Sequence, residues 1–175
     1  MADKKTKIVL DADVINHFVK GGCLSVLPKI FPEYQFVVLD VVKRELPSLI
    51  LSELNKQITR FKDIKEEVFG KTSVEKKEYF WLTSTKGPHL GKGESACMVY
   101  CRFHNDVVGS SNTKDVTEYC NMYGITFLTT NDFLYYAIQR GLMTQNDAKE
   151  FIRKVISMGS NPPLVDFEKY VCTKL

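Results

Sequence analysis

Ile8-Val9-Leu10-Asp11-Ala12-Asp13-Val14-Ile15-Asn16-His17-Phe18 changes its periodicity halfway along. Residues 8–10 form a short, β-prone apolar run that ends at Asp11. Residues 14–20 read as a helix, and Gly21-Gly22 supplies a stop after it. A strand that passes through an acid into a helix is a building unit of α/β folds. The chain repeats this unit. Residues 34–39 read as a second strand, with Asp40 placed to cap the next helix. From 41 to about 69 the pattern is mostly helical, with Pro47 as a break or kink. Residues 74–82 add a helix and residues 86–93 a loop. Helices are then predicted at 94–104, 114–123, 131–140 and 147–158, and strands at 107–110 and 125–129. The alternation predicts an α/β sandwich around a mostly parallel sheet.

The 175 residues suit a single domain, 1–175. Its tail, 161–175, opens with Pro162 and Pro163 and has no clear period, so docking on the body and free movement are both open. A formal charge of +3 permits a nucleic-acid partner without demonstrating one. No apolar run is long enough to span a bilayer, so no membrane partner is expected. The charged opening, residues 1–7, is not followed by an apolar signal region and argues against secretion. The five cysteines are scattered and odd in number. They read as reduced thiols of a cytoplasmic protein.

In such folds ligands gather at the carboxyl ends of the strands. Asp11, Asp13 and Asp40 follow predicted strands, as do Ser110, Ser111, Asn112 and Asp115, and later Thr130, Asn131 and Asp132. Carboxylates forced together repel one another, and a hard divalent cation with oxygen ligands relieves the repulsion. Such a cation can also acidify a water and stabilise charge on a phosphate. Taken singly, Asp11, Asp40 and Glu94 are explained equally well as helix N-terminal acids.

The opening segment closely resembles the first motif of the PIN-domain family: an apolar strand, an aspartate, a small residue, Asn or Asp, then an apolar helix. Asp11 and Asp13 fall on its acidic positions. Val41-Val42-Lys43-Arg44-Glu45-Leu46 is similar to the second motif, with Glu45 as its acid. Gly91-Lys92-Gly93-Glu94-Ser95-Ala96 resembles the third, with Glu94. The resemblance runs from residue 8 to about 158. It implies a three-layer α/β/α sandwich and Mg²⁺ or Mn²⁺ held by Asp11, Glu45 and Glu94. It also implies hydrolysis of RNA phosphodiester bonds by metal-activated water. Many members are VapC-like toxins of toxin–antitoxin pairs, which adds an antitoxin protein and a homodimer to the expected partners; others process or degrade RNA.

One motif departs from the family pattern. Where a Thr-Asn-Asp stretch is usual after the fourth strand, the chain has Ser110-Ser111-Asn112-Thr113-Lys114-Asp115. The fourth acid is displaced to Asp115 or replaced by Asn112. Asp132, in Thr130-Asn131-Asp132, looks closer to the motif. In the family's sheet, however, the first strand lies beside the fourth with the fifth outside it. Asp132 therefore starts two strand spacings from Asp11, roughly 10 Å. The expected site is Asp11, Glu45, Glu94 and Asp115, supported by Asp13, Ser111 and Asn112, with Asp132 capping its own helix. The departure sustains an alternative: a PIN-like scaffold that binds nucleic acid or protein without cleaving. A structure-specific DNA nuclease is a third reading, weakened by the lack of extra acids and of a helical clamp.

Other signals read as structural. Cys97, Cys101 and His104 share a helix face and suit a packed face better than zinc. His17 reads as a packed residue rather than a phosphate ligand. Loop 86–93 lacks Walker spacing and reads as a mobile loop beside the site; Lys86 and Lys92 there suit the RNA backbone or solvent equally. Lys43-Arg44 and Arg60-Phe61-Lys62 default to solvated faces rather than a phosphate-binding surface, and Phe80 and Trp81 to the core rather than a base-stacking platform.

Overall fold

A computed structural model describes residues 5–175; part of the charged opening segment lies outside the described residues. Five strands form one sheet: β1 (Lys7–Leu10), β2 (Gln35–Leu39), β3 (Ile64–Glu67), β4 (Val107–Gly109) and β5 (Phe127–Leu128). Their order is β3-β2-β1-β4-β5, and every neighbouring pair is parallel. Ile8, Val9 and Leu10 have no exposed surface. A central strand covered on both faces requires such a continuous apolar run.

Helices cover both faces. Helices α1 (Ala12–Lys20), α2 (Leu27–Ile30), α8 (Thr130–Gln139) and α9 (Gln145–Ser157) pack together on one side. On the other, α6 (Lys92–His104) lies against α3 (Asp40–Lys43), α5 (Ser73–Thr83) and α7 (Thr113–Tyr123). The remaining helix, α4 (Ser48–Lys56), contacts α1 and runs into a π-helical turn at Gln57–Phe61. The result is the expected three-layer α/β/α sandwich. Phe18, Phe31, Phe36 and Phe133 fill the layer under α1 and α8, with ring centroids 6.0–6.3 Å apart in the contacts to Phe133. Gly22, at φ +75°, ends α1 in the left-handed conformation that favours glycine.

The chain leaves β1 towards β2 and leaves β4 towards β5, in opposite directions across the sheet. β1 and β4 are thus neighbours at a topological switch point, where the connections that follow them part to opposite faces and open a crevice at the carboxyl ends. Asp11 follows β1 directly and Ser110 follows β4 directly.

Several expectations are corrected. The stretch from 41 to 69 is mostly helical and breaks at Pro47, as expected, but it is not helical throughout. It holds α3, α4, the π-turn and the edge strand β3, in which only Ile64 is buried. Asp40 does not cap: it is the first residue of α3, its Oδ1 accepts from Phe69 N at 2.9 Å and its Oδ2 pairs with Arg44. Phe80 and Trp81 are not core residues but are 65% and 56% exposed. The tail docks on the body, burying Phe167 and Cys172. All five cysteines are free. Among the described residues no helix is long and apolar enough to cross a membrane.

Candidate metal centre

Asp11 is the N-cap of α1, and its Oδ1 accepts from Ala12 N at 2.7 Å. Capping and clustering therefore coexist in one residue. Its other oxygen accepts from Ser110 Oγ at 3.2 Å. Asp13, in the first turn of α1, accepts from Val14 N at 2.6 Å and from Ser111 N at 2.8 Å. It ties the backbone after β4 to the helix after β1.

Glu45 arrives from the turn after α3, where it is exposed, and its Oε1 accepts from Gly93 N at 3.1 Å near the start of α6. A Cβ on Gly93 would lie 2.4 Å from Glu45 Oε2 and 3.1 Å from Asp11 Oδ1. Two carboxylates from distant parts of the chain thus lean over one glycine, and the missing side chain lets them approach.

Glu94 turns the other way. Its Oε1 accepts from Asn112 Nδ2, and the same amide donates to Asp115 Oδ2 at 3.0 Å. Asn112 thereby links the acid of α6 to the acid in the first turn of α7. Its own backbone N–H donates to Ser110 Oγ at 3.3 Å. Ser110 is thus held between Asp11 and Asn112. Ser110 and Gly93 fall inside the motif stretches, but the sequence does not place them among the site residues; a glycine directly before the acid of α6 is the available clue.

None of Asp11, Asp13, Glu45, Glu94 and Asp115 forms an ion pair among the described residues. Burial shows in the acidity of Asp11, Asp13 and Glu94. Burial pushes the Asp11 carboxyl well above its ordinary range, and the charges of Asp13 and Glu94 add to it. Burial raises Asp13 to about 6 against its stabilising backbone hydrogen bonds. Burial, aided by the charges of Asp115 and Asp13, raises Glu94 to about 7. Neighbouring carboxylates without a cation hold protons that isolated acids would release.

The donor set is all oxygen, as a hard divalent ion requires. Asp11 and Glu45 already converge. Glu94 is drawn to Asn112, and among the described residues no three His, Cys, Asp or Glu side chains meet as metal ligands.

Asp132 has a different life. Its Oδ2 accepts from Thr129 N at 2.8 Å in a capping box and pairs with Lys174 at 2.8 Å, while Oδ1 accepts from Tyr170 Oη at 2.6 Å. These partners hold its pKa below the ordinary value in spite of burial. His17 is packed: Nδ1 lies 2.8 Å from Thr130 Oγ1, which accepts from Ser111 Oγ at 2.7 Å. Thr130's own proton is then left for His17, and burial lowers the imidazole to about 4, so it is neutral. Cys97 is buried and its Sγ donates to Leu10 O at 3.7 Å; burial pushes its thiol up, away from the thiolate that zinc needs. His104 Nδ1 lies 2.9 Å from Tyr100 O, to which it donates, and the imidazole stacks on that ring.

No protein-family profile matches the chain. No curated protein matches it either. Among solved structures, a PilT N-terminus (PIN) domain protein from the hyperthermophilic archaeon Sulfolobus solfataricus P2 is similar in shape, with a TM-score of 0.40 and 12% identity, over 73% of this chain and 89% of that one.

Proposed function

We propose that the chain is a PIN-type, metal-dependent ribonuclease that hydrolyses phosphodiester bonds of single-stranded RNA in the crevice between β1 and β4. The observation that carries this reading is the approach of Asp11 and Glu45 over Gly93, beside Glu94 and Asp115, none of which forms an ion pair among the described residues. Mg²⁺ or Mn²⁺ would be held by Asp11 and Glu45, by Glu94 once it turns from Asn112, and by Asp115 at the edge. Such an ion supplies Lewis acidity, making a water more acidic and offsetting charge on the phosphate. Ser110 and Asn112 orient these carboxylates by hydrogen bonds. Asp13 acts as a positioning residue through Ser111 N.

Purified protein should cleave single-stranded RNA with Mg²⁺ or Mn²⁺, stop in EDTA, and be far slower as Glu94→Gln, which keeps the shape but removes the charge. Undiminished cleavage by Glu94→Gln would identify a contaminant or another site. Preference for flapped DNA would favour the structure-specific DNA nuclease. The finer proposal is a toxin of a toxin–antitoxin pair; a short neighbouring reading frame whose product binds the chain and blocks cleavage would support it.

A second reading is a PIN-like scaffold that binds without cleaving. It is favoured by the engagement of Glu94 with Asn112 and by the departure from the fourth acidic motif. Absence of cleavage over a broad RNA panel would select it.

A further inference from the structure

A cavity of about 620 Å³ opens beside the acid cluster, between α5, the loop after it, and α7. Asp115 lines its end nearest the cluster. Trp81, Met122 and Tyr123 line it with apolar surface, and Trp81 and Met122 are 56% and 65% exposed. The indole is backed by its own chain. Gly87 passes so close that a Cβ there would lie 2.0 Å from Trp81 O and 3.2 Å from ring atom Cδ2. The loop therefore props the ring while much of its surface stays open.

Charge distinguishes this groove from a plain apolar patch. Lys77 and Lys114 line it, and neither has an ion-pair partner among the described residues. Arg102 also lines it, but its charge is engaged by Glu78 and its guanidinium lies 3.5 Å over the Tyr123 ring. Three acids also line the wall: Glu78, which pairs with Arg102, Asp115 at the end towards the cluster, and Glu118. An exposed aromatic plate with free ammonium groups beside it is the pattern that takes an unpaired base and its flanking phosphates.

We infer that this groove is a base-stacking subsite: an unpaired nucleobase of a bound RNA strand lies on Trp81, with Lys77 and Lys114 on the adjoining phosphates, so that the strand continues past Asp115 to the acid cluster. The inference rests on the nuclease reading for the nature of the substrate. It also explains why an aromatic residue that the sequence assigns by default to the core stands in solvent.

Trp81 is the chain's single tryptophan, so its fluorescence reports on this groove alone. The full chain in EDTA is titrated with a ten-nucleotide oligouridylate RNA and with a blunt RNA duplex of matched length. Saturable quenching by the single strand, and much less by the duplex, is expected. Anisotropy of the labelled single strand should show affinity about tenfold weaker for Trp81→Ala and nearly unchanged for Trp81→Phe, which keeps a stacking ring. Lys77→Ala and Lys114→Ala should weaken binding and flatten its salt dependence. Circular dichroism checks that each variant folds, which substitution of an exposed side chain permits. Wild-type affinity in Trp81→Ala, or no quenching at saturating strand, overturns the inference. Loss of quenching with concentration-dependent self-association would give the groove to a second copy and overturns it as well. Quenching without any cleavage in Mn²⁺ would uphold the subsite while the nuclease reading failed. Cleavage that ignores Trp81→Ala would do the reverse.

Discussion

Gly93 decides how closely the acids of the site approach. In a helix, glycine is less favourable than alanine by about 1 kcal/mol. Its retention against that cost is explained by the space its missing Cβ leaves to Glu45 Oε2 and Asp11 Oδ1. Gly93→Ala should leave the metal-free melting temperature nearly unchanged, because the exposed Glu45 side chain can swing out. Mn²⁺ is expected to raise the melting temperature of the wild type by binding the folded state selectively, and Gly93→Ala should largely abolish that rise. An undiminished Mn²⁺ response in the variant would show that Glu45 is not a ligand. The same acids set a pH dependence. Asp13 and Glu94 are raised by burial to about 6 and about 7, above their unfolded values near 4. Folding therefore retains protons that the unfolded chain releases, and stability in EDTA should fall as pH rises from about 4 to about 7. Mn²⁺ competes with those protons, so its stabilisation should grow over the upper part of that range. Melting temperatures at pH 5, 6, 7 and 8, with and without Mn²⁺, test both slopes.

At the scale of elements, α7 and α8 each carry an aspartate in the first turn and use it differently. Asp115, in the first turn of α7, shares Asn112 with Glu94. Asp132, in the first turn of α8, closes a capping box and pairs with Lys174. Asp115→Asn should weaken the Mn²⁺ response with little change in metal-free stability. Asp132→Asn should cost about 1–3 kcal/mol of stability and leave the Mn²⁺ response intact. Urea titrations with and without Mn²⁺ separate the two, and an exchange of phenotypes would reverse the assignment. The elements around these acids are legible in the sequence because each couples an apolar run to a polar edge: β1, β2 and β4 are buried along most of their length, and the carboxylates sit just beyond. β3 is not legible. Ile64-Lys65-Glu66-Glu67 is an edge strand with one buried apolar residue, and its charges, which suit an exposed edge, read as helix surface. α5 misleads for a related reason. It buries only Leu82 and the capping residue Glu75, so Phe80 and Trp81, which local hydrophobicity assigns inward, face out. Which way Glu94 turns is beyond sequence reading, because it depends on an amide brought in from beyond the carboxyl end of β4.

The whole molecule is closed by its C-terminal tail. Asn131 Nδ2 donates to Pro163 O at 2.9 Å, Tyr136 Oη donates to Leu175 O at 2.7 Å, and Tyr170 and Lys174 both reach Asp132. The tail grips α8, whose N-terminal Thr130 meets Ser111 and His17 behind the acid cluster. The grip and the cluster are nonetheless separate in their supports. Ser111 is fixed by Asp13 and Thr130, both within the body, so removal of the tail leaves those bonds in place. A chain ending at Ser160 should therefore unfold at lower urea, because Phe167 and Cys172 no longer cover the core, yet keep its Mn²⁺ response. The coupling between Asp132 and the tail gives a sharper expectation. In the full chain Asp132→Asn breaks the ion pair between this buried carboxylate and the exposed Lys174. In the shortened chain the carboxylate has already lost Lys174 and Tyr170 and keeps only its cap to Thr129. The substitution should then cost less than about 1 kcal/mol, since neighbours that share one network are not additive. Equal penalties in the two backgrounds would mean that Asp132 stabilises through its capping box alone and that the ion pair with Lys174 adds nothing.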